Sequence, residues 1–283
     1  MFEVNIQNTF SSIQNLFPYN PDYSIVDIQG LGPSSATIST SKNGIKDGTK
    51  YTSSTINERN IVFFIMLKNN IEKSRINLYK IFARKTFIRI FFKNGIRDVF
   101  IDGCVENIEV SLFTEQEIMQ ISVVCPNPFF YSKNEIVDEM VTLINDFHFP
   151  FYSLPQSLCF SHLDPLVESV VKNRGEVQTG LTIIVKAQGT VYNPKIFNKN
   201  GTFFGINSIL QRGDVLKITT ETDNKRVMLI RNAQEYNILD DIMDNITWLQ
   251  LEIGDNLFTY EAEQNSAQYM TVEFHHFNKY EGV

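Results

Sequence analysis

Apolar and polar residues alternate in short runs along most of the chain, the two-residue period of strands rather than the 3.6-residue period of helices. Tyr23, Ile25 and Ile28 sit among polar residues until Gly30-Leu31-Gly32-Pro33 breaks the run. Ala36-Thr37-Ile38-Ser39-Thr40 alternates weakly, and residues 60–67 form an apolar stretch predicted as a strand buried on both faces. Between them, residues 42–52 are polar and contain Asn43-Gly44 and Asp47-Gly48. Those pairs favour tight turns because they tolerate positive φ, so an exposed or mobile loop is predicted.

One segment departs from the alternation. Ile71, Leu78, Ile81 and Phe82 recur at helical spacing with charges between them, which predicts an amphipathic helix of about four turns over 71–85. Strands follow at 86–92 and 97–101 around the hairpin turn Lys93-Asn94-Gly95-Ile96. A second antiparallel pair spans 104–112 and 119–125, joined by the polar turn Thr114-Glu115-Gln116-Glu117.

The pattern then changes. Pro126-Asn127-Pro128 cannot continue a ladder, since proline has no N–H to donate, and Phe129-Phe130-Tyr131 adds three aromatics. A sheet is expected to end at Cys125, with residues 126–132 leading to a new unit and packing against one domain. Residues 133–165 are poorly periodic, and the aromatic stretch 147–152 reads as irregular packing. Beyond 168, short strands return at spacings of roughly ten residues, the signature of a β-sandwich. The expected fold is mostly β with one helix: a domain over 1–132 and a β-sandwich domain over 133–283.

Charge supports that division. The 283 residues carry a net charge of −7, with 13 Lys/Arg against 12 Asp/Glu up to residue 132 and 12 against 20 beyond it. Neither half is basic, which argues against reading a nucleic-acid groove. The three cysteines, Cys104, Cys125 and Cys159, form no CxxC pair, so a zinc ribbon is excluded and reduced cysteines in or near cores are expected. The opening residues lack a basic stretch and an apolar core of a signal peptide, and the longest apolar run, 61–67, is far short of the about 20 residues of a membrane helix. A soluble protein made in a reducing cytosol is expected, with no membrane partner.

The residues offer little chemistry. His275 and His276 are adjacent on a predicted strand, so they point to opposite faces and make a poor metal pair. His148 and His162 lie in the aromatic region with no acidic cluster beside them. Asp240, Asp241 and Asp244 fall in a polar stretch expected to be a solvated loop, and their spacing departs from a calcium loop. Gly30-Leu31-Gly32-Pro33-Ser34-Ser35 lacks the ending of a phosphate-binding loop. No GxSxG or HExxH motif occurs. No catalytic residue, metal or cofactor is expected.

The order of motifs resembles the distal tail proteins of long-tailed phages and related tail-like particles. The resemblance rests on Arg75-x-x-Leu78-Tyr79-x-Ile81-Phe82, the downstream hairpins, and Pro126-x-Pro128-Phe129-Phe130-Tyr131. It continues through Asn173-x-Gly175-x-Val177-x-Thr179, Asn193-Pro194, Gly213-Asp214-x-Leu216-x-Ile218-Thr219-Thr220, Trp248-Leu249-x-Leu251-x-x-Gly254-x-Asn256 and Tyr280-x-Gly282-Val283. No single motif is specific; their order carries the resemblance.

The resemblance implies a structural virion component whose first domain forms a ring of six copies beneath the tail tube. Its other face would hold the tail-tip hub or tail-associated lysin protein, and DNA would only pass through the lumen. The second domain, galectin-like or carbohydrate-module-like, would dock receptor-binding proteins at the tail tip, after assembly in the bacterial cytoplasm. Asn43, Gly44, Asp47 and Gly48 are the candidate arm that orders on a neighbouring copy. Two other functions stay open. A carbohydrate-binding adhesion module would need exposed aromatics, with Trp248 and Tyr192 the first candidates and Tyr236, Tyr260 and Tyr269 behind them. A wall-degrading enzyme would need a constellation that the residues do not present.

Overall fold

The computed structural model describes residues 2–8, 13–18, 20–42, 44, 47–112, 116–145, 161–165 and 168–283, with only the backbone described at 141–145 and 161–165. The chain forms two compact units, 1–133 with 279–283, and 134–278.

The first unit contains, in chain order, β1 (Glu3–Asn8), β2 (Gln14–Phe17), β3 (Tyr23–Gln29), β4 (Ala36–Lys42), β5 (Thr49–Ile56), β6 (Arg59–Leu67), α1 (Ile71–Ile81), β7 (Phe87–Lys93), β8 (Asp98–Val110), β9 (Ile118–Cys125) and β10 (Phe130–Ser132). Its main sheet runs β2-β1-β7-β8-β9-β6-β3, and the first half of β8 also pairs with β10. The two edge strands, β2 and β3, lie side by side without a ladder, so the sheet rolls up towards a barrel. Alternation builds the core: Ile61, Phe63, Ile65 and Leu67 of β6 are buried. Val62, Phe64 and Met66, between them, are only half-buried, so this strand buries one face fully rather than both. Inside, Phe63 stacks on Phe92 at 6.4 Å, and Phe92 meets Phe130 edge-on at 5.8 Å. Each such ring contributes on the order of 1.5–3 kcal/mol when removed from water.

Helix α1 closes over this core through Leu78 and Ile81, and Phe82 just beyond it reaches Phe63 at 5.8 Å. It stops at Ile81, short of the predicted 85. The amide of Asn8 donates to the carbonyls of Lys80 and Ile81 at 3.1 and 3.2 Å, satisfying acceptors that a continuing helix would use. Thr86 Oγ1 then donates to the Ala83 carbonyl, and Lys85 takes φ +64°, which an α-helix excludes. The hairpin over 93–96 forms as the turn residues predict, with Asn94 Oδ1 accepting from the N–H groups of Ile96 and Arg97.

The second unit contains β11 (Ile136–Glu139), β12 (Val141–Asn145), β13 (Ser161–Pro165), β14 (Glu168–Asn173), β15 (Thr182–Ala187), β16 (Val191–Asn198), β17 (Phe203–Gly205), β18 (Ile209–Leu210), β19 (Val215–Thr219), β20 (Arg226–Arg231), β21 (Gln234–Asn237), β22 (Gly254–Glu263) and β23 (Met270–His276). One sheet runs β11-β23-β15-β19-β20-β21 and another β14-β22-β16-β17, with β18 beside β16. Their buried residues form one core, in which Phe258 of β22 stacks on Phe274 of β23 at 4.7 Å. This is a two-sheet sandwich, so the chain is mostly β, with one α-helix among the described residues. Residues 247–251 are irregular and touch a ladder only at the Thr179–Leu251 bridge. The polar edge strand β21, every residue of it exposed, carried no apolar alternation to reveal it.

Residues 279–283 return to the first unit, although the sequence placed them in the second domain. Strand β24 (Lys279–Tyr280) pairs with β10, Tyr280 opposite Phe130 and Lys279 opposite Tyr131. The assignment failed because this pairing joins residues about 150 positions apart, a relation that local periodicity does not encode.

Candidate assembly surfaces

The described residues of 42–52 belong to a hairpin, not a free loop: Lys42 ends β4 and Thr49 opens β5. Strands β4 and β5 form a separate two-stranded sheet, pairing from Ala36↔Ile56 to Lys42↔Thr49. Gly44, Asp47 and Gly48 are exposed at its tip, the two glycines with φ of +61° and +88° that the turn requires. Asn43 lies outside the described residues. Every residue of both strands is exposed.

The two faces of this hairpin differ. The register places Ala36 opposite Ile56, Ile38 opposite Ser54 and Thr40 opposite Tyr51, and the bulge after Ser39 keeps these residues on one face. The Tyr51 hydroxyl lies 2.9 Å from Ser54 Oγ, as that shared face requires. The other face carries Thr37, Ser39, Ser41, Lys50, Ser53 and Thr55. All three large apolar residues thus share one side, with Ile38 64%, Tyr51 60% and Ile56 43% exposed. A lone two-stranded hairpin is marginally stable in water, and an uncovered apolar side makes it a surface for association.

The aromatic-proline segment packs in the first unit. Phe130 is fully buried, and Tyr131 stacks on Phe100 at 5.5 Å. Arg59, at the start of β6, is 3% exposed and lies 4.5 Å over the Phe130 ring. Its guanidinium donates to the carbonyls of Pro128 at 2.7 Å, Gly30 at 2.5 Å, Glu281 at 2.6 Å, and Gly32. Burial pulls its pKa down, with nearby Cys125 and Glu281 acting the other way. Arg97 donates to the Gly282 carbonyl, and Val283 N donates to the Leu31 carbonyl at 3.1 Å. A lone arginine preceding an apolar run gave no sign in the sequence that it would gather four distant carbonyls.

Trp248 and Tyr192 are not brought together. Both belong to the second unit, but Tyr192 opens β16 while Trp248 borders a cleft at its other end with Asn198, Lys199, Gln250 and Glu252. Tyr192 and Asn198 are six positions apart along β16, about 20 Å of extended chain. The cleft, about 130 Å³, is smaller than the roughly 300–1,000 Å³ of ligand pockets. Its polar groups are engaged already: Gln178 donates to Glu252, Gln250 to the Thr220 carbonyl, and Asn198 Oδ1 accepts from Asn200 N. The Trp248 ring lies 4.9 Å from that of Phe204, with Lys225 Nζ at 5.4 Å. Tyr260 is buried, whereas Tyr236 and Tyr269 are 47% and 46% exposed.

The remaining residues singled out by type are scattered. His276 is buried and His275 half-buried, the latter 3.3 Å from Glu135 and 3.4 Å from Glu273. Asp240 and Asp244 are exposed and Asp241 half-exposed, on and just after a single 3₁₀ turn. Cys104 and Cys125 are free thiols, and burial pushes the Cys125 pKa up to about 12. His148, Cys159 and the 147–152 stretch lie outside the described residues, as do Thr114 and Glu115. Among the described residues, no three His, Cys, Asp or Glu side chains gather as a metal site, and no helix is long and apolar enough to cross a membrane.

Comparison with known proteins gives the same direction at two levels. Residues 174–277 match the family model of the siphovirus-type tail component, C-terminal domain. The fold is similar to the crystal structure of the SPP1 Dit protein, described as a paradigm of the hub adsorption apparatus in phages infecting Gram-positive hosts. That likeness has a TM-score of 0.70 at 13% identity and covers 98% of each chain. Chains of the phage P2 baseplate in its activated conformation, with Ca and with Sr, are similar at TM-scores of 0.55 and 0.53, each at 13% identity over 100% of both chains. No curated protein sequence matches.

Proposed function

We propose that this chain, whose residues 174–277 match the siphovirus-type tail component, C-terminal domain, is a distal tail protein that assembles as a six-copy ring between the tail tube and the tail-tip hub. The family match carries the reading, and the end-to-end likeness to the fold of a hub protein supports it. The first unit is the ring-forming domain. The galectin-like second unit sits on the periphery and anchors adhesion proteins. The protein acts by joining partners at the virion tail tip and not by chemistry, and DNA meets it only in the lumen.

Ring formation by identical copies needs an interface in which different patches meet, so that rotation closes the assembly. The exposed hairpin of β4 and β5 supplies one such patch, and its tip at Gly44, Asp47 and Gly48 is the part furthest along the arm. The alternative, a carbohydrate-binding adhesion module, has less support, because the cleft beside Trp248 is small and its polar groups are already bonded. The test is the native mass of the purified chain with negative-stain images, alone and with tail tube protein. Six-fold rings are expected. A strict monomer under both conditions refutes the ring.

A further inference from the structure

We infer that the apolar face of the β4–β5 hairpin docks in the groove between β2 and β3 of a second copy of this chain, so that each copy gives an arm and receives one. The inference rests on the ring reading above and names the surfaces that would close it. The groove is lined by Phe2, Phe17, Ile25, Val26, Ile28 and Leu31, with a volume of about 270 Å³. It exists because the rolled sheet brings its two edge strands together without pairing them. Val26 is 56% exposed there, an apolar residue at the bulge of β3, an edge strand whose inner side pairs with β6.

Three observations select a second copy as the occupant. The arm carries Ile38, Ile56 and Tyr51 on one face, which matches an apolar groove and leaves the polar face to water. The charges are complementary: Lys42 lies on the apolar face of the arm, whereas the groove carries exposed Asp27. The Asp27 carboxylate accepts hydrogens from Ile28 N and Gln29 Nε2 and leaves room for a lysine. Reach agrees as well. Seven or eight extended residues span about 25 Å, more than the roughly 14 Å radius of gyration of a unit this size, so the arm can cross to a neighbour. Arm and groove are different patches of one chain, the arrangement that closes by rotation.

The experiment uses two single-cysteine additions in the full chain, I38C and V26C, mixed under mild oxidation, with native mass measured in parallel. Both positions are exposed, so the fold is unaffected. A disulfide-linked species should form in the mixture and not in either protein alone. Ile38→Asp with Tyr51→Asp should reduce the oligomer to monomer, and Asp27→Lys should weaken it at least tenfold, with recovery on combining Lys42→Asp. An oligomer that persists in the Ile38/Tyr51 variant, or shows no Val26–Ile38 cross-link, overturns the groove while leaving the ring intact. If those arm changes spare self-association but block incorporation into tails, the arm belongs to another tail protein and the inference fails. A wild-type chain that neither oligomerises nor cross-links overturns ring and groove together.

Discussion

Arg59 and Glu281 are 222 residues apart in the chain and 2.6 Å apart in the fold, the Nη2 of one donating to the main-chain carbonyl of the other. The same guanidinium holds Pro128, Gly30 and Gly32, so one side chain fixes three segments that are remote in sequence. Arg59→Ala removes donors from four carbonyls and is expected to destabilise the first unit by on the order of 3 kcal/mol. Lysine at this position should recover only part, since an ammonium lacks the planar fork. Urea unfolding followed by circular dichroism reads the loss, while the single tryptophan, Trp248, reports the second unit and should hardly move. A loss below about 0.5 kcal/mol, the size of an ordinary surface change, counts against the clamp.

Deleting residues 279–283 should destabilise the first unit by a similar amount, because it removes β24 and the Glu281 and Gly282 acceptors together. Groups in one network do not add. The deletion combined with Arg59→Ala should therefore cost clearly less than the sum of the two. Strict additivity in a double-mutant cycle would show the two features to be independent.

Cys125 is an internal clock for unfolding. Burial raises its pKa to about 12, with Arg59 pulling the other way. An unfolded thiol ionises near pH 8.5, so above roughly that pH the unfolded chain releases a proton that the folded chain keeps. Stability from this group is full below that pH and falls as pH rises towards 12. At pH 8, a thiol reagent should modify Cys125 only at the rate of unfolding. Rapid labelling of the native protein at this position contradicts the assignment.

His276 sets the opposite limb in the second unit. Burial lowers its pKa, and the Asp138 carboxylate, 4.0 Å from Nδ1, opposes that only in part. The unfolded histidine takes up a proton near pH 6.5, whereas the folded one resists it. Stability is thus present above about pH 6.5 and falls on acidification. The Trp248-reported midpoint should drop between pH 7.5 and 5, and His276→Gln should flatten that drop. Equal slopes in both proteins would assign the acid sensitivity elsewhere.

Removing residues 42–52 should leave the first unit as stable as before, within about 0.5 kcal/mol, because the described residues of this segment are exposed and its flanking strands pair only with each other. Its native mass should fall. Light scattering that finds an unchanged oligomer alongside unchanged stability removes any assembly role from the tip.

Local chemistry made part of this fold legible. The apolar run of β6, the start of α1 at Ile71, the Asn94-Gly95 turn and the end of β9 at Cys125 are each set by residues within a few positions of one another. Residues 42–52 read as a loop because β4 and β5 expose both faces, so no buried stripe imposes alternation on Ser41, Lys50 or Thr52. The end of α1 depends on Asn8, more than seventy residues earlier, and Arg59 finds its acceptors in three remote segments. Such partners are invisible to periodicity, which reads neighbours only. The spacing of Trp248 and Tyr192 was illegible for a related reason: Tyr192 lies near the start of β16, and Trp248, on an irregular segment, borders the cleft at that strand's other end.

Strands β10 and β24 are antiparallel partners, with Tyr131 opposite Lys279. The whole of 134–278 therefore leaves and re-enters the first unit through two adjacent backbones, about 5 Å apart. In genetic terms the second unit is a cassette spliced into a β-hairpin. A turn of two to five residues could replace it and leave the flanking ladder closed, and any other module with neighbouring ends could be grafted there without disturbing the sheet that receives it.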